Sequence, residues 1–162
     1  MSGVPSHLMP VAVSNLQRRS RVSPERLRAV ARRALKALGR ADREVHVTVV
    51  DDRRIRALNA RYLGARRATD VLAFDLAAPG PGRLWGEVIV SAETAARQAR
   101  RLGVPLAAEM DLLVVHGLLH LAGYDDHDPR HARRMHERAR KILSGSSPRS
   151  IPGRLWAGLL EP

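Results

Sequence analysis

The stretch HGLLHLAGYDDHD, residues 116–128, is the part of this sequence that most constrains how the chain folds. His116 and His120 are four residues apart, so on a helix their imidazoles lie on the same face, one turn from each other. Gly123 then interrupts the helical pattern. Three further potential ligands follow it: Asp125, Asp126 and His127. The chain is therefore predicted to end a helix here and to turn back on it.

Two imidazoles on one helical face can bind a single metal ion at about 2.0–2.1 Å, but they do not complete a tetrahedral site. A third ligand is expected from the turn at residues 124–128, where the two aspartates and the histidine remain alternatives. The fourth position would then hold water, which is typical of a catalytic site. Two histidines at this spacing also occur on ordinary protein surfaces, but the glycine and the acidic turn favour a metal site. We expect one Zn²⁺ per chain.

Gly117 argues against a zincin-type metalloprotease. That class has the pattern H-E-x-x-H, in which the glutamate is the general base, and glycine stands at that place here. Because glycine has no side chain, we expect Gly117 to leave the helix surface open beside the metal, so that a bulky substrate approaches closely.

The composition favours a polyanionic partner. The chain has 162 residues, 28 Lys and Arg against 16 Asp and Glu, and a formal net charge of +12. This excess favours RNA or DNA over a membrane surface. Aromatic residues are only 3% of the chain, so phosphate contacts are expected to dominate over base stacking. The chain has no cysteine, no apolar run long enough to span a membrane and no apolar signal segment. We therefore expect a cytoplasmic protein that does not bind a membrane.

The hydrophobic pattern predicts an α+β fold, a single domain with a mixed, about four-stranded sheet packed against helices and the metal site at the end of a helix. Ser23 and Ser91 are predicted helix N-caps, and Gly39 and Gly64 are predicted helix ends. The predicted order is β-α-β-α-β-β-α-α-α. Its segments are strands at 10–15, 44–50, 69–76 and 83–91, a turn at 78–82, and helices after Ser23, after Asp51 or Asp52, from Ser91 to Leu102, after Pro105 and from 130 to 143. Residues 1–143 are expected to form the domain and residues 144–162 a flexible tail.

Three motifs together resemble one protein family. HGLLHLAGYDD, TDVLAF upstream of it, and LN-x-x-Y before that are similar to the YbeY family of metal-dependent, single-strand-specific endoribonucleases. The resemblance runs from about Val11 to Leu143. It implies a zinc-dependent hydrolase that acts on RNA in small-subunit ribosomal RNA 3′-end maturation and in ribosome quality control. Ribosomal RNA, and small-subunit ribosomal proteins, are the partners that it implies.

The resemblance also favours one third ligand. The family pattern is His-xxx-His-xxxxx-His, and an ungapped count from His120 brings Asp126 to the third place. His116, His120 and Asp126 are therefore the expected metal-binding and catalytic residues, with His127 as the alternative third ligand. A carboxylate is an acceptable zinc ligand at about 2.0–2.2 Å.

The chain also departs from the family. Where the family commonly has an arginine that is thought to hold or cleave RNA, directly after LN-x-x-Y, this chain has Leu63. Arg61, Arg66 and Arg67 are nearby and are the expected RNA-binding residues. His131 and His136 lie in a basic segment, which favours solvated surface histidines.

Two alternatives to the nuclease remain. One is an RNA-binding ribosome-assembly factor without catalytic activity. The other, disfavoured by Gly117, is a zincin-like metalloprotease.

Overall fold

The computed structural model describes residues 11–63, 70–76 and 84–145. Nine elements follow one another in the predicted order: β1 (Val11–Asn15), α1 (Pro24–Ala37), β2 (Glu44–Val50), α2 (Asp52–Leu63), β3 (Val71–Asp75), β4 (Leu84–Ser91), α3 (Ala92–Leu102), α4 (Leu106–Leu121) and α5 (Pro129–Ser144). The predicted turn at 78–82, the helix end at Gly64, and the tail beyond Gly145 lie outside the described residues.

The four strands form one mixed sheet in the order β1-β2-β4-β3. β1, β2 and β4 are parallel, and β3 pairs antiparallel with β4 at one edge. The α+β prediction is confirmed. Val45, Val47 and Val49 of the central strand β2 are fully buried on one face of the sheet, whereas His46, which points to the other face, is exposed.

Both faces of the sheet carry helices. On one face, Val88 and Val90 of β4 join a large core with α1, α3, α4 and α5. On the other, Ile55 of α2 packs with Val50, Leu72 and Ile89. α4 is the central helix: its leucines 112, 113, 118 and 119 are all at most 1% exposed. Each such leucine contributes about 1.5–3 kcal/mol of hydrophobic stabilisation, so the helix that carries the histidine pair is firmly held.

Two glycines let α4 lie very close to the sheet. A Cβ on Gly117 would be 2.5 Å from Cγ1 of Val88, and a Cβ on Gly86 would be 2.8 Å from Cδ1 of Leu121, the last residue of α4. The expectation that Gly117 opens the surface beside the metal is therefore wrong. Gly117 is buried against β4, and its missing side chain brings helix and sheet together.

The N-termini of α1, α3 and α5 are capped by side chains, whereas α4 begins after Pro105 without a side-chain cap. Ser23 and Ser91 accept hydrogen bonds from the main-chain N–H groups of Arg26 and Thr94, as predicted. α5 begins one residue before its predicted start, at Pro129, because Asp128 is its N-cap. Within the described residues no single helix is long and apolar enough to cross a membrane. Only α3 and α4 taken together have the necessary length and composition, and the chain bends by 120° between them.

Candidate metal centre

His116 and His120 face each other in the last turns of α4. Their Nε2 atoms are 3.0 Å apart, and the ring planes are inclined by 81° with 4.6 Å between centroids. Both residues are only partly exposed, at the end of a helix that is otherwise buried. The spacing of four residues thus does what the sequence predicts, since it brings two imidazole nitrogens to one point.

The turn after α4 orients His120. Gly123 has φ +96°, a conformation that favours glycine, and its N–H donates to the carbonyl oxygen of His120. The chain then brings the carbonyl oxygen of Tyr124 to 3.1 Å from Nδ1 of His120. If Nδ1 donates its proton to this carbonyl, Nε2 keeps its lone pair and points towards His116. Metal-bound histidines are commonly held in this way.

Asp126 completes the group. Its Oδ2 lies 3.6 Å from Nε2 of His116, and one donor atom from each of the three residues lies within 4.8 Å of the others. The interaction with the neighbouring His116 lowers the pKa of Asp126, so the carboxylate is ionised. Burial and the neighbouring His116 lower the pKa of His120, so this imidazole is neutral at pH 7. A set of two imidazoles and one ionised carboxylate suits a borderline cation such as Zn²⁺.

His127 lies in a different cluster. Its ring is 67% exposed and stacks on His131, with centroids 4.9 Å apart. Its Nδ1 contacts Asp125, and its Nε2 is 3.2 Å from Oδ2 of Asp128. The turn therefore directs neighbouring residues to different groups, a division that spacing along the chain does not reveal.

His136 is closer to the candidate centre than the sequence predicts. It is partly buried, and its pKa is lowered by burial, by Arg140 and by His116. The expectation of a solvated surface histidine is therefore wrong for His136. The sequence carries one signal for it: His136 directly follows Met135 and lies three residues before Ala139, both on the buried face of α5.

The expected RNA-binding residues are only partly described. Arg61 is exposed on α2, with its guanidinium 5.4 Å from the ring centre of Tyr62. Tyr62 is 56% exposed and packs edge-on against Phe74. Arg66 and Arg67 lie outside the described residues, and Leu63 is the last residue of α2.

An α+β sheet with two histidines at the end of its central helix and an aspartate in the next turn defines a candidate metal-dependent hydrolase. Comparison with known proteins narrows this class. The family described as Endoribonuclease YbeY matches residues 12–147. An Endoribonuclease YbeY from Anaeromyxobacter sp. (strain Fw109-5) is 50% identical over 128 residues, which cover 78% of this chain and 67% of the relative. One from Geobacter metallireducens is 42% identical over 142 residues, which cover 84% and 95%.

A solved structure has a similar fold. The solution structure of TM1509 from Thermotoga maritima superposes with a TM-score of 0.58 at 25% identity, and 91% of each chain is covered. The chain belongs to the YbeY endoribonuclease family, whose members are hydrolases that cleave RNA. The resemblance drawn from the three sequence motifs is confirmed.

Proposed function

We propose that this chain is a zinc-dependent, single-strand-specific endoribonuclease whose centre is formed by His116, His120 and Asp126. The observation that carries the proposal is the convergence of these three donor groups within 4.8 Å at the end of a buried helix. Zn²⁺ bound there would polarise a water molecule or a phosphate oxygen.

The protein's own residues supply position and charge. The tyrosine carbonyl holds His120 in one tautomer, so the ligand does not have to reorganise when a cation binds. Asp126 is half exposed, which leaves the centre open to solvent on the side of the turn, where a flexible RNA strand can enter. Arginine side chains, which carry most of the positive charge of the chain, would bind backbone phosphates and neutralise charge that develops on phosphorus.

Asp126 is the proposed third ligand, and two facts support it over His127. Asp126 lies against His116, whereas His127 contacts Asp125 and Asp128. A His-His-Asp centre carries one positive charge less than a three-histidine centre. Its bound water would be less acidic, and harder cations would be better tolerated.

The proposed substrate is ribosomal RNA. The net charge of +12 suits a polyanion, and the family acts on RNA. We place the protein in the cytoplasm, where it would take part in 3′-end maturation of small-subunit ribosomal RNA and in ribosome quality control, beside small-subunit ribosomal proteins. Residues 1–143 would be sufficient for cleavage.

Arg61, with Arg66 and Arg67, is proposed to bind the RNA backbone. Replacing Arg61 with alanine would remove one phosphate contact and reduce the slope of log affinity against log salt by about 0.7, the value for single strands. The Arg61→Lys variant keeps the charge and would keep the slope. An unchanged slope in the alanine variant would exclude Arg61 from the RNA path.

A cleavage assay tests the whole proposal. Wild type, His116→Ala and His46→Ala would be incubated with single-stranded and double-stranded RNA of one sequence after metal stripping and zinc addition. His46 is an exposed histidine on β2 and is the matched control. We expect wild type and His46→Ala to cut only the single strand, and His116→Ala to cut neither. Products that end in a 2′,3′-cyclic phosphate would identify the ribose 2′-hydroxyl as the attacking group.

The competing proposal is an RNA-binding assembly factor in which the metal only holds the turn. It predicts that wild type and His116→Ala bind the same RNA and leave it intact. A parallel casein digestion addresses the protease alternative.

A further inference from the structure

A second group of potential metal ligands follows the first along the chain. Asp125, His127 and His131 each offer one donor atom, and the three atoms lie within 4.8 Å of one another. His131 is in the first turn of α5, and the other two precede that helix. None of the three belongs to the His116 group, although Asp125 and Asp126 are neighbours in sequence.

Asp128 holds both imidazoles of this group in place. Its Oδ1 caps α5 by accepting hydrogen bonds of 2.9 Å from the main-chain N–H groups of Arg130 and His131. Its Oδ2 is 2.5 Å from Nδ1 of His131 and 3.2 Å from Nε2 of His127. With Nδ1 of His131 donating to the carboxylate, the Nε2 lone pair of that ring is free to bind a cation. A carboxylate on the far nitrogen orients many metal-binding histidines.

The two rings are held parallel and close. The planes of His127 and His131 are inclined by only 25°, with 4.9 Å between centroids. His127 contacts the carboxylates of Asp125 and Asp128, and His131 contacts that of Asp128. Two carboxylates therefore fix the positions of both rings.

The group is open to a ligand from solvent. A surface depression of about 330 Å³ has Asp125 and His131 in its wall, together with Tyr124 and Arg134. A cation bound to the group would therefore have room for water or another small ligand in its remaining positions. Arg134 would disfavour a bare cation but would favour one that also binds an anion such as a phosphate oxygen.

We propose that Asp125, His127 and His131 form a second divalent-cation site, separate from the His116 centre and positioned by Asp128. Two nitrogen donors and one carboxylate select Zn²⁺ or a similar cation over Mg²⁺, which prefers oxygen ligands. Since His127 and His131 are exposed, this site binds zinc more weakly than the centre at the end of α4. The proposal does not depend on ribonuclease activity.

Zinc stoichiometry tests it. The metal-stripped full chain would be dialysed against buffered Zn²⁺ and its metal content measured, for wild type and for His131→Gln, Asp125→Asn, His116→Gln and His46→Gln. We expect two zinc ions per chain in wild type and in the His46 control, one in each of the other three variants, and none in His116→Gln/His131→Gln. Circular dichroism checks that each variant folds.

Each pattern of results has one meaning. A single zinc ion in wild type that persists in both His131→Gln and Asp125→Asn overturns the second site. Two zinc ions in those variants overturn its assignment to these residues. If only the His116 centre does not bind zinc, wild type holds one zinc ion. That ion is then lost in His131→Gln and retained in His116→Gln.

Discussion

The Nδ1 atom of His120 lies 3.1 Å from the main-chain carbonyl oxygen of Tyr124, four residues further along the chain. This contact exists because the chain reverses at Gly123, where φ is +96°. The backbone of the turn therefore orients a ligand of α4, and the same turn delivers Asp126 to the other histidine. The turn at Gly123 therefore follows the end of α4, orients His120 and brings Asp126 to His116.

Replacing Gly123 with alanine should weaken zinc binding. The left-handed conformation costs a non-glycine residue about 1–2 kcal/mol, and relief of that strain would move the Tyr124 carbonyl. Loss of such an orienting contact typically lowers metal affinity about 10–100-fold. Competition titration in the His131→Gln background, where a single zinc site remains, measures the effect.

Gly39 provides the matched control. It also has a positive φ, +69°, and like Gly123 it has no atom within 4 Å of the position of an added Cβ. It follows α1, in a different part of the chain from the metal centre. The Gly39→Ala variant should lose similar stability in urea unfolding and keep its zinc affinity. Equal zinc affinities in the two variants would refute the orienting role of the turn.

Substitutions in the turn decide the third ligand. Asp126→Ala should lose zinc from the centre of α4 and lose RNA cleavage, while Asp126→His restores an imidazole at the third place of the family pattern and should retain both. His127→Ala should keep cleavage, because its side chain does not contact His116 or His120 in the structure. Full zinc content and cleavage in Asp126→Ala, beside their loss in His127→Ala, would reverse the assignment.

Glu109 should make the stability of the fold depend on pH. It lies in the first turn of α4, is 3% exposed, and its Oε2 has no hydrogen-bond partner. Burial, with a smaller contribution from Asp70, raises its pKa from 4.5 to about 7, although Arg101 opposes the change. Because the folded chain holds this proton more tightly than the unfolded chain, stability falls as pH rises from about 4.5 through 7, by about 1–3 kcal/mol in total.

The Glu109→Gln variant tests this directly. It keeps the shape and removes the ionisation, so the free energy of unfolding at pH 8 should rise and its decline between pH 5 and 7 should become shallower. Glu25 is the control, because it occupies the first turn of α1 and is exposed. The Glu25→Gln variant should leave the pH profile unchanged. A profile that Glu109→Gln also leaves unchanged would mean that the carboxyl is solvated in solution.

The order of elements could be predicted because its signals are local. Ser23 and Ser91 accept hydrogen bonds from N–H groups three residues ahead, and these caps depend on neighbouring residues alone. β2 and β4 follow from runs of β-branched residues. The meeting of His116 and His120 is local as well, since the period of the helix suffices to bring them together.

The faces of α4 could not be predicted, because this helix is apolar on nearly every side. A helix without a polar face gives no periodic signal of which residues meet the sheet. Only the structure therefore shows that Gly117 faces the sheet and that Glu109 is buried. The separation of Asp126 from His127 depends on the path of a turn, and a one-residue change in that path exchanges the two side chains.

Replacing Gly117 with alanine tests how α4 is positioned. The added Cβ would be 2.5 Å from Cγ1 of Val88, a fully buried and stiff side chain. Overpacking of this kind costs about 1–3 kcal/mol, whereas alanine in place of glycine within a helix contributes only about 1 kcal/mol of stability. We therefore expect a net loss in urea unfolding, and weaker zinc binding, because α4 carries the histidines away from the sheet.

Two further variants separate this clash from general effects of the substitution. Gly145→Ala, at the end of α5, would bring a Cβ no closer than 3.5 Å to any atom, so it should be neutral or slightly stabilising. In a double-mutant cycle, Val88→Ala removes the atoms that clash, so Gly117→Ala should cost at least about 0.5 kcal/mol less in that background. Additive losses would mean that Val88 does not oppose the new methyl group, and that α4 approaches β4 less closely in solution.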